Sequence, residues 1–403
     1  MNNQNKITLL IVIVLIVVAI FYLDSKKVHF TGGTASTTPL ALVGNNTATT
    51  TNTADITQIR ATKAGKYSPA VELVDPSGFI NTPSAPSGGG APISLKDYIG
   101  KDVVLIDFMT YSCINCQRTF PYITAFYSKY KDQGLVVIGI HTPEFDFEKD
   151  YNNVSAAMKR FGITYPVVMD NNYGTWNAYG NQYWPHEYLI DIDGYVIDSH
   201  IGEGGYTDTE SAIKNALKER DMRLGIPVPS DLIDSTFVNP TGVITTINTN
   251  SPETYFGSNR NTYLGNGNQG QSGVQTFTPP AGGVSAIANN TFYFGGSWDV
   301  EGEYAQSTAS GSSIAYNFSA THMYFVAGAV DQTKPIMAEV TMDGAPIPAS
   351  LRGADIIVQN GKTYINVGVD RLYDLIDAST MVTHTIQITA SGAGLQAYTF
   401  TFG

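Results

Sequence analysis

The spacing of apolar and polar positions changes from one stretch of this chain to the next. Residues 7–23 (ITLLIVIVLIVVAIFYL) are unbroken apolar sequence. As a helix they would span about 25 Å at ~1.5 Å per residue, near the lower limit for crossing a bilayer. No small-x-small cleavage signal follows directly, so residues 1–24 are predicted as an uncleaved transmembrane signal anchor. Thr, Asn, Ala and Gly then dominate, as in TTPLALVGNNTATTTNTADIT. Such sequence cannot bury enough apolar surface to fold, and residues 25–66 are expected to form a disordered tether. Between residues 67 and 224 apolar runs of strand length alternate with stretches of helical spacing. VVLI at 103–106 and LVVIGI at 135–140 read as buried strands. Phe147, Tyr151, Val154, Met158 and Phe161 share one face of a helix predicted over 146–161. Asp75-Pro-Ser-Gly78 is a hairpin signal and so is Asp193-Gly194, between strands expected at 188–192 and 195–201, and a last amphipathic helix is expected at 208–223. This alternation predicts a mixed sheet covered by helices. Residues 225–286 are dense in Pro, Asn, Gly and Ser and read as linker and loops. From 287 to 403 the period is two, in short runs such as SIAYNF, MYFV and HTIQI. Short strands separated by turns suggest a β-sandwich.

Composition narrows the setting. The formal net charge is -12 and charged residues make up only 14%, with no basic stripe, which argues against a nucleic-acid partner. A polar but weakly charged, β-rich chain suits an extracytoplasmic location. Charge does not fix the orientation of the apolar stretch, because Lys6 flanks one side and Lys26 and Lys27 the other. The body is placed outside the cytoplasm on its composition and on the lack of a second span.

The chain contains only two cysteines, Cys113 and Cys116. They lie where the strand beginning at Val103 gives way to a helix expected from Ile114 to about Lys131. A helix N-terminus carries partial positive charge and unpaired N–H groups, which stabilise a thiolate on the first cysteine. The second is within reach to close a disulfide. A structural zinc site would need four ligands, and no second pair is present. A c-type haem would need His after the second cysteine, where Gln117 stands. A disulfide across four residues constrains the unfolded chain very little. The pair therefore points to redox chemistry, with no metal and no cofactor expected.

The string DFMTYSCINCQRTFPY, followed by VVIGIHTPEF and WPHEYLIDIDG, resembles the membrane-tethered thioredoxin-like group of TlpA and DipZ type over roughly residues 68–223. Residues further on (SPETYFG, FGGSWDVEGEYA, MDGAPIP and the closing AYTFTFG) resemble the domain that follows thioredoxin in DipZ proteins, a β-sandwich similar to carbohydrate-binding modules. The resemblance implies an α/β thioredoxin-like domain followed by an all-β sandwich. It implies a cis peptide bond before Pro185, facing the cysteines, with the backbone of Trp184 available to an extended substrate. Met109 stands where these proteins usually have Trp. The multi-span electron-importing domain of DipZ proteins is not seen, so a separate membrane electron donor of the CcdA type is expected.

Within this frame Cys113 is the expected nucleophile and Cys116 the resolving thiol. Asp107, on the strand beneath, is the candidate base for Cys116. Glu144 follows a strand end and is a candidate for tuning the cysteine pKa, or else a solvated carboxylate. His141, His186 and His200 read as ordinary polar residues. Trp298, Tyr304, Tyr324, Tyr364, Tyr373 and Tyr398 offer a glycan-binding surface if exposed, and core packing if not. The expected activity is membrane-tethered, extracytoplasmic thiol–disulfide exchange on disulfide-containing exported proteins. A surface glycan- or protein-binding module with the thioredoxin-like domain as scaffold, and a thiol peroxidase, are the alternatives.

Overall fold

In a computed structural model, the described residues are 53–84, 90–234 and 247–403, together with Phe237 and Pro240. The apolar stretch at 7–23 and most of the expected tether lie outside them. Among the described residues no helix is long and apolar enough to cross a membrane.

The first sheet contains β1 (Gly78–Ile80), β2 (Val103–Met109), β3 (Leu135–His141), β4 (Val167–Met169), β5 (His186–Ile190) and β6 (Val196–Ile201), in the order β1-β4-β3-β2-β5-β6. β2, β3 and β4 run parallel, while β1, β5 and β6 pair antiparallel. Every residue of β2 is buried, as expected of a central strand covered on both faces. That is why VVLIDFM reads as a continuous run and not as an alternation. Val103, Leu105 and Met109 enter one core layer, and Val104, Ile106 and Phe108 the other. Asp107 belongs by this period to the Met109 face.

The helix following β2 runs from Ile114 to Tyr130, close to expectation, with Cys113 as its N-cap. Before it, α1 (Thr53–Ala64) lies inside the segment expected to be disordered. Lys63 of α1 pairs with Asp191 at 2.6 Å and Asp193 at 3.2 Å, and also pairs with Glu219. Arg60 reaches Asp193 at 2.8 Å. Composition could not reveal this helix, because charge pairing to distant residues holds it in place. The helix that follows β2 is α2 (Ile114–Tyr130). The helix predicted over 146–161 is interrupted: a 3-10 turn over Asp146–Lys149 precedes α3 (Tyr151–Arg160). Asp150 makes the break, accepting hydrogen bonds from the N–H groups of Asn152 and Asn153 as an N-cap. α4 (Gly174–Ala178) and α5 (Tyr206–Leu224) follow. The hairpin expected around Asp75 does not form, since β1 pairs with β4.

The C-terminal region is β-rich, with one apolar core. Its strands are β7 (Thr254–Tyr255), β8 (Gly273–Phe277), β9 (Phe292–Val300), β10 (Ala305–Ser307), β11 (Ser313–Ala329), β12 (Ile336–Met342), β13 (Ala345–Pro346), β14 (Ile357–Gln359), β15 (Lys362–Val367), β16 (Arg371–Ala390) and β17 (Leu395–Phe402). Segments expected to be separate short strands are continuous. SIAYNF and MYFV both belong to β11, whose pairing with β16 shifts register between Ala320 and His322 and again between Met323 and Tyr324. These irregularities bend the long strands. The first half of β11 pairs with β9 and the second with β17. Residues 247–286 are not linker. β7 pairs with β17, β8 pairs with β9, and Phe256 is fully buried against Phe292 and Phe400. Polar composition concealed this, because single apolar anchors (Phe256, Leu264, Phe277) fix the segment to the core.

The two regions share a core of their own. Ile114 and Phe145 from the α/β domain pack with Tyr324, Val326, Leu372 and Tyr398 from the β-rich region. Ile114 is the first residue between the two cysteines.

Candidate functional site

Cys113 stands at the start of α2 in extended conformation, partly exposed, while Cys116 is fully buried one turn on. The strand β2 delivers the chain to this point, and Thr110, Tyr111 and Ser112 connect it to the helix. That connector is fixed by Glu148, which the sequence reading did not single out. Its Oε1 accepts from the Ser112 N–H at 3.1 Å and the Ser112 hydroxyl at 2.7 Å. Its Oε2 accepts from the N–H groups of Glu144 and Phe145 at 2.6 and 3.1 Å. A carboxylate taking bonds from two loops locks the approach to Cys113.

The Trp184–Pro185 peptide bond is cis, and the Trp184 carbonyl oxygen lies 4.0 Å from Cys113 Sγ. The indole of Trp184 packs on Trp176, with ring centroids 4.4 Å apart. The structure thus brings Cys113, Cys116, Trp184 and Pro185 together.

Asp107 is completely buried, and both carboxyl oxygens are without a hydrogen-bond partner. Burial pushes its pKa up to about 7. Burial also raises the Cys116 thiol well above its ordinary range, with Cys113 and then Asp107 adding to the effect. A neutral thiol beside a carboxyl group that titrates near neutrality is a workable acid–base pair.

Glu144 is not part of this constellation. Its Oε1 accepts from Tyr255 Oη and Arg260 Nη1, each at 2.8 Å. It joins the two regions of the protein, and burial raises its pKa to about 7. Neither reading of it, tuner or solvated carboxylate, anticipated this, because its partners lie more than a hundred residues away. His141 is buried beside Thr110, and burial holds its pKa near 3. His186 bonds to Asn181 and to Ser199, with its pKa near 4. Both are neutral core groups.

Glu187 was also missed. The strand was expected to begin at Tyr188, yet β5 begins at His186. That places Glu187 inside a buried strand, directly opposite Asp107. Of the six aromatics weighed for a glycan surface or for core packing, Trp298, Tyr324, Tyr373 and Tyr398 are buried, while Tyr304 and Tyr364 are half-buried. The rings of the four buried residues belong to cores and to the interface between the regions.

The sheet order and the helix leaving β2 define a thioredoxin-like fold. Residues 63–217 match the family described as Redoxin, and residues 251–403 the thioredoxin-like C-terminal domain family. Protein DipZ of Mycobacterium tuberculosis is 36% identical over 334 residues, 83% of this chain and 43% of DipZ. Thiol-disulfide oxidoreductase ResA of Bacillus anthracis is 33% identical over 125 residues, 31% of this chain and 69% of ResA. A solved thioredoxin-like protein in its oxidised form is 25% identical, covering 38% of this chain and 97% of that one, with a TM-score of 0.34. The chain belongs to the thioredoxin-like proteins of the TlpA/DipZ type. It spans less than half the length of the DipZ proteins that it matches.

Proposed function

We propose that this protein is a thiol–disulfide oxidoreductase that reduces disulfides of exported proteins. The observation that carries the reading is the placement of Cys113 at the open end of α2, 4.0 Å from the Trp184 carbonyl, with Cys116 buried behind it. The Cys113 thiolate attacks one sulfur of the target disulfide. A Cys113–target bond forms, and the target's own S–S bond breaks. Its other sulfur leaves as a thiolate and takes a proton from solvent. Cys116 then loses its proton to Asp107 and attacks Cys113 Sγ. The mixed disulfide breaks, the second target thiolate leaves, and a Cys113–Cys116 disulfide remains. The target gains two electrons and the dithiol loses two. An extended target segment can lie against the Trp184 backbone.

The cycle needs a reductant for the Cys113–Cys116 disulfide, and a membrane dithiol protein of the CcdA type fits that need. The apolar stretch at 7–23 supports anchoring, with the folded regions on the extracytoplasmic side. The β-rich region is read as a sandwich that walls one side of the site by covering Ile114, and so selects which targets reach Cys113. Four of the six candidate aromatics are buried, which favours core packing over the glycan reading.

The test is reduction of insulin disulfides by the purified chain. Wild type is expected to be active and Cys113→Ser inactive. A reduction potential near about -120 mV, that of a strong oxidant, would overturn the reductase direction. Faster turnover of peroxide than of protein disulfides would overturn it in favour of a peroxidase.

A further inference from the structure

β2 and β5 are antiparallel neighbours, and Asp107 stands opposite Glu187 in their register. Directly opposed residues project from the same face of a sheet, with Cβ atoms ~4.5–5.5 Å apart. Both side chains are out of solvent, at 0% and 1% exposure. Three of their four carboxyl oxygens have no hydrogen-bond partner. The fourth, Glu187 Oε2, accepts from Thr209 Oγ1 of α5 at 3.4 Å. On the other side of Asp107, β3 contributes only Gly139, which has no side chain to offer.

The titratable groups around this pair are Cys116 of α2, Tyr165 before β4, Asp198 of β6, Tyr206 of α5 and His200 of β6, which stands opposite Glu187 on its other side. Neither His200 Nε2 nor Glu187 Oε1 has a hydrogen-bond partner, and among the described residues no lysine or arginine acts on the pair. Two ionised carboxylates on one buried face repel each other and lose their hydration. Holding one proton between them removes the repulsion and pairs two of the three orphaned oxygens.

We propose that Asp107 and Glu187 act as a single proton-sharing carboxyl pair, with Glu187 a positioning residue that governs when Asp107 takes the proton of Cys116. The inference rests on the oxidoreductase reading given above. The pair carries one proton in its working form. When Cys116 attacks the mixed disulfide, its proton moves to Asp107 and the pair becomes fully protonated. The sulfur–sulfur exchange is unchanged, and the proton leaves again before the next cycle. Burial and mutual repulsion agree with this, since Glu187 is also held well above the ordinary carboxylate range. Coupled groups of this kind titrate in two steps that belong to the pair.

The test follows carboxyl carbons by NMR through a pH titration of the oxidised chain, in which neither thiol titrates. Asp107 and Glu187 are expected to share two inflections at common pH values. Asp107 in Glu187→Gln is expected to show one inflection, and Glu187→Asp is expected to restore two. A second measurement is the pH dependence of target release from the mixed disulfide. Glu187→Gln should shift this profile, and Asp107→Asn combined with Glu187→Gln should release no more slowly than Asp107→Asn alone. A single, independent Asp107 inflection in wild type, or a Glu187→Gln release profile that superimposes on wild type, overturns the proposal. The NMR titration does not depend on insulin reduction, so failure of the pair and failure of the oxidoreductase reading are told apart.

Discussion

Glu144 accepts a hydrogen bond from Arg260 at 2.8 Å, and the Arg260 guanidinium lies 3.6 Å from the centroid of the Tyr255 ring. One acidic residue beside the α/β sheet is thereby held by two residues from the segment expected to be linker. Arg260→Ala leaves Glu144 largely buried and short of a partner, a situation that costs about 1–3 kcal/mol. Urea unfolding is expected to show a loss of that size. Alkylation of Cys113 should also become faster, because the same contact holds the β-rich region over Ile114. An unchanged midpoint and an unchanged alkylation rate would contradict this.

The buried Asp107 makes stability depend on pH with a definite sign. Its folded pKa, about 7, lies above the ordinary 3.8. Between these values the folded state holds a proton that the unfolded state has lost. Its contribution is therefore complete below about pH 4 and disappears as pH rises through 7. At ~1.4 kcal/mol per pH unit the window amounts to ~4 kcal/mol at most. Glu144 adds to the slope in the same direction. Asp107→Asn should flatten the slope and gain relative stability at pH 8 over pH 5, as measured by thermal melts across that range.

The same substitution should separate the two halves of the reaction. In the proposed cycle, attack by Cys113 on a target does not use Asp107, whereas release by Cys116 does. Removing a general base typically slows its step by roughly 10²-fold or more. Single-turnover measurements with Asp107→Asn should show rapid formation and slow decay of the mixed disulfide. Cys116→Ala should trap it outright.

Ile114 connects the dithiol to the second region. It is 5% exposed and packs with Leu372 and Val326. Ile114→Ala removes buried methyl groups at a typical cost of ~2–5 kcal/mol. The loss is expected mainly in the docking of the β-rich region. Small-molecule disulfides should still be reduced at rates near wild type, while selectivity among protein disulfides should fall. Limited proteolysis alongside kinetics would reveal both effects.

Lys63 secures α1. It sits among Asp191, Asp193 and Glu219 with its side chain only 11% exposed. Lys63→Met leaves three carboxylates close together, with Arg60 and Arg223 the cations still bonded to Asp193. Removing one partner of a buried ionic cluster costs up to ~3–5 kcal/mol. Hydrogen exchange of the α1 amides should rise sharply, with little change at α2.

The dithiol was legible in the sequence because its chemistry is local. Two cysteines three positions apart, after a run of β-branched residues, specify a strand end and a helix start by themselves. Cys113, Cys116, Asp107, Trp184 and Pro185 could all be named from short strings. What was illegible depended on register and on distance along the chain. The position of Glu187 opposite Asp107 follows from where β5 begins, a shift of two residues that propensity does not resolve. The roles of Glu144, Glu148 and Lys63 are set by partners that only folding brings near.

The sequence by itself determined an α/β region, a β-rich region and a dithiol at a helix start, because periodicity and cysteine spacing are properties of neighbouring residues. Only the tertiary structure decided that residues 247–286 join the second core, that Ile114 is covered by it, and that two carboxyl groups share a buried face. Those outcomes rest on burial and cross-strand register. Both are sums over distant contacts, to which no single stretch of chain holds the key.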